Sequence, residues 1–515
     1  MKRISIYITI ALFVFSGCSK DLLNVSDPNN VTEDNFYQTE NDAVLATNAV
    51  YNSLRDDQNY GQLIIWESVL TDDERWDGEG TPNLYGALAS GTETAIGTNS
   101  YTRRVWNGSY QTIYRANTAI AKIPAIAMDD ALKNRLLAEC RFLRAFMYHR
   151  LVVRFGDVPL LLHLPAEEPL TPPRASRQEV LAAIYDDLDF AAQSLPKEYT
   201  GADAGRIKKG AAYLLKAKVQ LFNQQWADAA VSAKACLDLH YGLYPSYADL
   251  FTKPGNENLN ESLFEVQWGN ANGNGGNGNL YTRNTSNGTA STVAAGGWDW
   301  GQVLQNLVNE YENADGTPFN LGGRDITTDL TQYQDRDPRL YTTFFFHGAD
   351  YFGIPFDRTW SRTQYCWKKY TLSTTQQNSF PQGMNPYNWI VLRNAEAHLA
   401  YAEAKNEAAG PDESVYDAVN AVRRRAGMPN LPGGLSQDDM RARIRHERRV
   451  ELAGESVRFE DLVRWRALKS ALESKSIGNP GVTWVISNWE EFRYLWPVPQ
   501  QERDVNKNLT QNPGY

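Results

Sequence analysis

Between residues 40 and 54 the apolar side chains Ala43, Val44, Ala46, Val50 and Leu54 recur at three- and four-residue intervals, which puts them on one face of an α-helix. The same repeat predicts a helix over 103–123, stopped by Pro124, in which Trp106, Tyr110, Ile113 and Tyr114 share a face and belong to the core. A stronger helix is predicted over 130–155, with Leu132, Leu136, Cys140, Leu143, Met147 and Leu151 in register and Gly156 and Pro159 following as stop signals. Ser176 stands where an N-cap belongs for a helix to Leu195. Residues 206–222 and 226–239 form a pair rich in alanine, where Ala211, Ala217, Ala229 and Ala233 allow close helix–helix approach. The succession resembles degenerate tetratricopeptide repeats, with drifting spacing.

The pattern then breaks. Residues 263–268 read as a short strand, and the chain continues WGNANGNGGNGNLYTRNTSNGTASTVAAGGWDW to Trp300. Gly and Asn tolerate positive φ and resist regular structure, so this is a long irregular excursion bracketed by Trp268, Trp298 and Trp300. A long loop carrying indoles is expected to help form a binding face for a flat, polar ligand; the alternative is a surface loop whose tryptophans fold back into the core. A helix is predicted at 303–311, and from there to Pro386 the chain reads as irregular and rich in Trp, Tyr and Phe. Helical periodicity returns at 389–408, 415–426, 437–452 and 457–472, with Ser436 and Asp439 spaced as a capping box. No βα alternation is present, so the expected fold class is mostly α with a loop-rich middle.

The N-terminus carries an address. Lys2 and Arg3 precede an apolar run at 4–15 that is too short to span a bilayer, which reads as an export signal. Ser16-Gly17-Cys18 then resembles the lipobox of bacterial lipoproteins, with Phe15 in place of the usual Leu, so Cys18 is the expected lipidation site. The remaining Cys140, Cys236 and Cys366 are too few and too scattered for a disulfide framework, and Cys140 and Cys236 read as buried apolar residues.

Charge and motifs narrow the chemistry. The net charge is −10, from 51 basic and 61 acidic residues with no basic stripe, which gives no support for nucleic-acid binding. The six histidines never fall at helix-turn spacing, and C-x-x-C, G-x-S-x-G and EF-hand patterns are absent from the sequence. Gly273, Gly275 and Gly278 satisfy G-x-G-x-x-G, but no helix follows; Gly205 and Gly210 have P-loop spacing, but Ala211 stands where Lys is required. No cofactor, metal or catalytic residue is therefore predicted. Asp72, Asp73, Glu74 and Asp77, interleaved with Arg75 and Trp76, form the one acidic cluster of interest. A carboxylate and a guanidinium beside an indole can hydrogen-bond sugar hydroxyls while the ring stacks on the C–H face. The same acids would be the seat of glycoside hydrolysis, or simply a solvated turn.

Several stretches together resemble the SusD/RagB family of outer-membrane nutrient-binding lipoproteins of Bacteroidota. These are FYQTENDAVLATNAVYNSL (36–54), AECRFLRAFMYHRLVVRFGDVPL (138–160), VLRNAEAHLAYAEAKN (391–406), AVNAVRRRAGMPNL (418–431), IRHERRVELAGESVRFEDLVRW (444–465) and LWPVPQQERDVNKNLTQNPGY (495–515). Ser19-Lys20-Asp21 is similar to the short signal that sends such lipoproteins to the cell surface. The Arg and Glu residues of 444–465 read as scaffold that pairs across helices, without a ligand role. The resemblance implies a mostly α SusD-like fold with tetratricopeptide-like helix pairs plus a loop-rich ligand-binding lobe. It divides the chain into a signal peptide (1–17), a lipidated N-terminus and tether (18–39), an N-terminal helical region (40–260), a variable ligand region (261–386) and a C-terminal helical region (387–515).

It also implies a non-catalytic protein, lipid-anchored in the outer membrane at the cell surface, that binds oligosaccharide and passes it to a SusC-like TonB-dependent transporter. Peptide is the alternative cargo; a surface glycoside hydrolase and a scaffold without a small ligand are the remaining classes. By region, the resemblance points to Asp73, Trp76 and Tyr85, and to Tyr281, Trp298 and Trp300, as ligand contacts.

Overall fold

A computed structural model describes residues 36–60, 64–76, 100–253, 257–268, 301–325, 327–371, 387–474 and 489–515. The first helix, α1 (Glu40–Ser53), begins where the Thr39 side chain accepts from the Asp42 amide and Asp42 Oδ2 accepts from the Thr39 amide, a reciprocal cap. Its buried face carries Ala43, Ala46 and Val50. Next come α2 (Ser100–Lys122) and α3 (Asp130–Phe155), the latter capped by Asp129 and closed at Gly156, whose φ of 70° suits only glycine without strain. Ser176 and Glu179 make a second reciprocal cap on α4 (Arg177–Ser194), as its sequence foretells. The pair α5 (Lys209–Phe222) and α6 (Trp226–Leu237) follows, then the short α7 (Tyr247–Thr252).

Each of α2 to α6 packs on the helix before it, an unbroken run of antiparallel neighbours. Gly210, at the start of α5, is required by close approach: a Cβ there would collide with the Tyr241 ring. After α8 (Gln305–Glu310) and the single turn α9 (Leu340–Thr343), the chain returns through α10 (Asn394–Ala409), which packs on α6 and α5. Two more helices, α11 (Glu413–Arg425) and α12 (Gln437–Glu451), cover α10 around Ala402, Val415, Val419, Met440 and Ile444. The chain ends through α13 (Arg458–Arg464), α14 (Leu468–Ser474) and α15 (Gln500–Val505).

The strands of the described residues form four antiparallel pairs. These are β1 (Glu74–Trp76) with β3 (Gly301–Val303), β2 (Ser262–Val266) with β8 (Trp389–Arg393), β4 (Phe344–Phe345) with β7 (Cys366–Trp367), and β5 (Asp350–Tyr351) with β6 (Ile354–Pro355).

Several expectations need correction. Residues 389–393 are a strand, and the helix begins only at Asn394. Trp389, Ile390 and Leu392 are all buried, so the strand shows no alternation and its apolar run merges with the helical pattern behind it. Val303 likewise closes β3 rather than opening a helix. The stretch 457–472 is two helices, broken where Arg466 takes a φ of 56°. Tyr114 is 53% exposed while Trp106 and Ile113 are buried; it lies at the edge of their stripe on α2. The middle of the chain, read as irregular, contains a small core of its own made of Phe345, Tyr351, Phe356 and Cys366. Cys140, Cys236 and Cys366 are buried thiols, outside any disulfide.

The pairing expected of the charged C-terminal segment is present, and it reaches far beyond adjacent helices. Arg393 of β8, 1% exposed, donates from Nη1 to Glu261 Oε1 at 2.8 Å and Glu451 Oε1 at 2.6 Å, and from Nε to Glu455 Oε2 at 2.7 Å. Arg339 donates to Glu447, Glu451 and Asp337 at 2.5, 2.9 and 2.7 Å. Arg423 joins Glu447 to Glu312 at 2.9 Å each, and Arg425 joins Glu261 to Glu451. Burial alone would raise the Glu451 carboxyl, but Arg425, Arg393 and Arg339 together hold it far below the usual carboxylate range.

Removing one member of such a buried set strands its partners. Arg393→Met is expected to destabilise the fold by about 3–5 kcal/mol, read as a lowered urea midpoint. Lys234→Met, which breaks the exposed α6 pair with Asp238, should cost under about 1 kcal/mol. Equal losses would contradict this ranking.

His398 of α10 has no partner at Nδ1, and burial, reinforced by the Arg425 charge, lowers its pKa from 6.5 to about 4. Between those values the unfolded chain binds a proton that the folded chain refuses, so stability falls on acidification through this window. The loss is on the order of 3 kcal/mol; His398→Gln should flatten that part of the stability–pH curve, and an unchanged curve would refute the assignment.

Candidate functional site

The acidic turn at 71–73 leads into β1, and the register of β1 on β3 is Glu74 opposite Val303, Arg75 opposite Gln302, and Trp76 opposite Gly301. Gly301 follows Trp300 in the chain. The acidic turn and the chain that enters β3 at Gly301, far apart in sequence, therefore meet across one short ladder, with Trp76 and Gly301 paired at one end.

Beneath this ladder lies an ionic clamp from the C-terminal helices. Arg458 of α13 grips Asp72 with Nε to Oδ1 and Nη2 to Oδ2, both at 3.0 Å. Arg449 of α12 donates from Nε to Asp73 Oδ1 at 2.9 Å and from Nη1 to Glu310 Oε1 at 2.6 Å, and its Nη2 lies 2.9 Å from Asp72 Oδ2. The Asp73 carbonyl accepts from the Leu304 amide at 2.9 Å, which extends the ladder. Ser68 Oγ donates to Glu74 Oε2 at 2.6 Å. Burial works against the Asp72 carboxylate, but Arg449 and Arg458 outweigh it and hold its pKa at about 2. Burial dominates at Asp73 and raises its carboxyl.

Asp73 is thus corrected from ligand contact to support: it is 2% exposed and its carboxylate is taken by Arg449. Asp72 and Glu74, 4% and 0% exposed, are equally enclosed, Asp72 gripped by Arg449 and Arg458 and Glu74 accepting from Ser68. The Trp76 backbone is fixed in β1, while its side chain lies outside the described structure. Cys18, Asp77, Tyr85, Tyr281, Trp298 and Trp300 lie outside the described residues altogether.

The other end of the excursion is also anchored. Trp268 is 3% exposed, its amide donates to Asn388 Oδ1 at 2.9 Å, and the Arg55 guanidinium lies 5.3 Å from its ring centroid. This indole, grouped with the excursion in the sequence, belongs to the core, because the β2–β8 pairing carries it inward. Beside it, a groove of about 550 Å³ runs along α1, lined by Asn48, Tyr51, Asn52, Arg55, Arg206 and Gln267. Tyr51 accepts from the Ile207 amide at 3.1 Å, and Gln267 exchanges hydrogen bonds with Asn258 at 3.1 and 2.7 Å. Asn52 and Arg55 keep side-chain donors free of hydrogen bonds to other described residues. Sequence reasoning passed over them, although Asn48, Asn52 and Arg55 fall at helical spacing on the polar side of the α1 stripe.

Comparison with known proteins now places this architecture. The profile described as "SusD family" matches residues 260–515, and that described as "Starch-binding associating with outer membrane" matches 25–221. SusD-like protein P25 of Formosa agariphila is 26% identical over the whole of both chains. A SusD-like carbohydrate-binding protein from Bacteroides fragilis superposes with a TM-score of 0.79 at 27% identity, over 92% of this chain and all of the other. A laminarin-binding SusD-like protein superposes with a TM-score of 0.74 at 26% identity, over 93% of this chain and all of its own. Among the described residues no helix is long and apolar enough to cross a membrane. With both halves of the chain matched and the whole helical scaffold superposed, the chain belongs to the SusD/RagB family, whose members bind carbohydrate in association with the outer membrane.

Proposed function

We propose that this protein is a non-catalytic, lipid-anchored surface protein that captures oligosaccharide and passes it to a SusC-like TonB-dependent transporter. The observation that carries the reading is the β1–β3 register, which pairs Trp76 with Gly301 on a ladder clamped from below by Arg449 and Arg458. Indoles supply flat apolar faces for sugar C–H groups. The free donors of Asn52 and Arg55, where the excursion departs, suit sugar hydroxyls. The carbohydrate- and laminarin-binding relatives support the ligand class. The enclosure of Asp72, Asp73 and Glu74 supports binding without turnover.

Calorimetric titration of a form lacking residues 1–18 against oligosaccharides, β-glucans among them, tests this reading. Trp76→Ala and Trp300→Ala are each expected to weaken binding by roughly tenfold, the scale of one lost stacking contact, with no product formed. Asp73→Asn should instead lower stability by about 1–3 kcal/mol and leave affinity nearly unchanged. Product formation would replace the reading with an enzyme, and peptide binding without any glycan binding would replace the cargo.

The anchor has its own test. Cys18→Ser in the full chain is expected to abolish incorporation of labelled fatty acid, to release the protein from the outer-membrane fraction, and to end its co-purification with a β-barrel transporter. Retention of label in that variant would sink the assignment of Cys18.

A further inference from the structure

A second site lies inside the scaffold, away from the β1–β3 ladder. Helix α3 crosses α5 and β8 beside the turn at 455–457, and a cavity of about 60 Å³ remains there, lined by Arg150, Arg154, His149, Lys218, Ser456 and Glu460 among others. That volume accommodates one monatomic ion with water, and no sugar.

The wall carries the cations Arg150, Arg154 and Lys218, and all but one have an acidic partner among the described residues. Arg154 donates from Nε to Glu67 Oε1 at 3.0 Å. Lys218 donates to Glu396 Oε1 at 2.7 Å, and His149 Nε2 lies 2.6 Å from Glu460 Oε1. The other wall carboxylate, Glu455, is taken by Arg393 at 2.7 Å and Lys369 at 2.9 Å. Arg150 is the exception. It is 4% exposed and donates from Nη1 to the neutral Asn59 Oδ1 at 2.6 Å, while its Nε and Nη2 meet no acceptor among the described residues.

That free edge is diagnostic. Nε and Nη2 form the side-on fork of a guanidinium, which holds a carboxylate in Arg144 on Asp187 at 2.8 and 2.7 Å, Arg448 on Asp461 at 2.9 and 3.0 Å, and Arg458 on Asp72, and backbone carbonyls in Arg336. A buried guanidinium without an anion is costly. Ser456 adds a further donor, for its Oγ meets no partner among the described residues and its backbone is held at a φ of 60°. Burial lowers the pKa of Arg150 to about 10, which still leaves it cationic at neutral pH.

We propose that this cavity binds one monovalent inorganic anion of halide size, chloride in nature, received by the Nε/Nη2 fork of Arg150 with Ser456 Oγ as a further donor. The ion offsets the charge of the Arg150 guanidinium and ties α3 to the 455–457 turn.

Bromide serves as the probe. Thermal unfolding of the protein lacking residues 1–18 would be followed in sodium bromide and in sodium gluconate at equal ionic strength. The midpoint is expected to rise saturably with bromide, by about 2 °C at a hundredfold excess over Kd, and not with gluconate; Arg150→Gln should abolish the difference. Should that variant fail to fold, crystals of the unmutated protein grown in bromide should show an anomalous bromine peak beside Nε and Nη2. Equal midpoints in both salts, or ordered water in the cavity with no anomalous peak, would overturn the proposal.

Discussion

The structure depends on charge taken out of water. Carboxylates and guanidinium groups are buried around α12, and each is tolerable only because opposite partners sit at hydrogen-bonding distance. Glu447 and Glu451 on one face of α12 accept from Arg339, Arg393, Arg423 and Arg425, while Arg448 and Arg449 on its other faces reach Asp461 and the Asp72–Asp73 turn. Hydrophobic contact is non-directional, whereas these forks fix both distance and angle. The set joins α11, α13, β8 and the non-helical middle to one helix, so ionic geometry fixes the orientation of a middle region that shares its apolar core with the helices.

The same device holds the β1–β3 ladder. Arg449 and Arg458 project from α12 and from α13 onto consecutive aspartates, and the strand that follows pairs Trp76 with Gly301. The backbone of the ladder is thereby held from below, and Asp72 and Asp73 are consumed as its anchors.

How much of this was legible depended on whether a feature is local. Helix starts at Ser176 and Ser436 follow from side chains a few residues apart, and each N-cap is present. The long apolar stripe of α3 and the alanine-rich pair α5 and α6 were equally readable, since a periodic face announces itself within one turn. Residues 389–393 were misread because a strand buried on both faces has no period of its own. Arg466 ended a helix without Gly or Pro to mark it. Asp73 looked like a ligand group because an acid beside an indole carries no sign of the arginine, far along the chain, that would claim it.

By itself, the sequence determined the mostly helical class, the helix boundaries set by caps and glycines, and the family. All of these rest on composition, on neighbours within a few residues, or on long motifs. Only the tertiary structure decided which charges are spent in the core and which remain free, that Trp76 stands opposite Gly301, that Trp268 turns inward, and that Asn52 and Arg55 edge a groove. Those outcomes depend on pairings between residues hundreds of positions apart, and a charged side chain has no meaning for function until the partner that buries it, or the solvent that does not, is known.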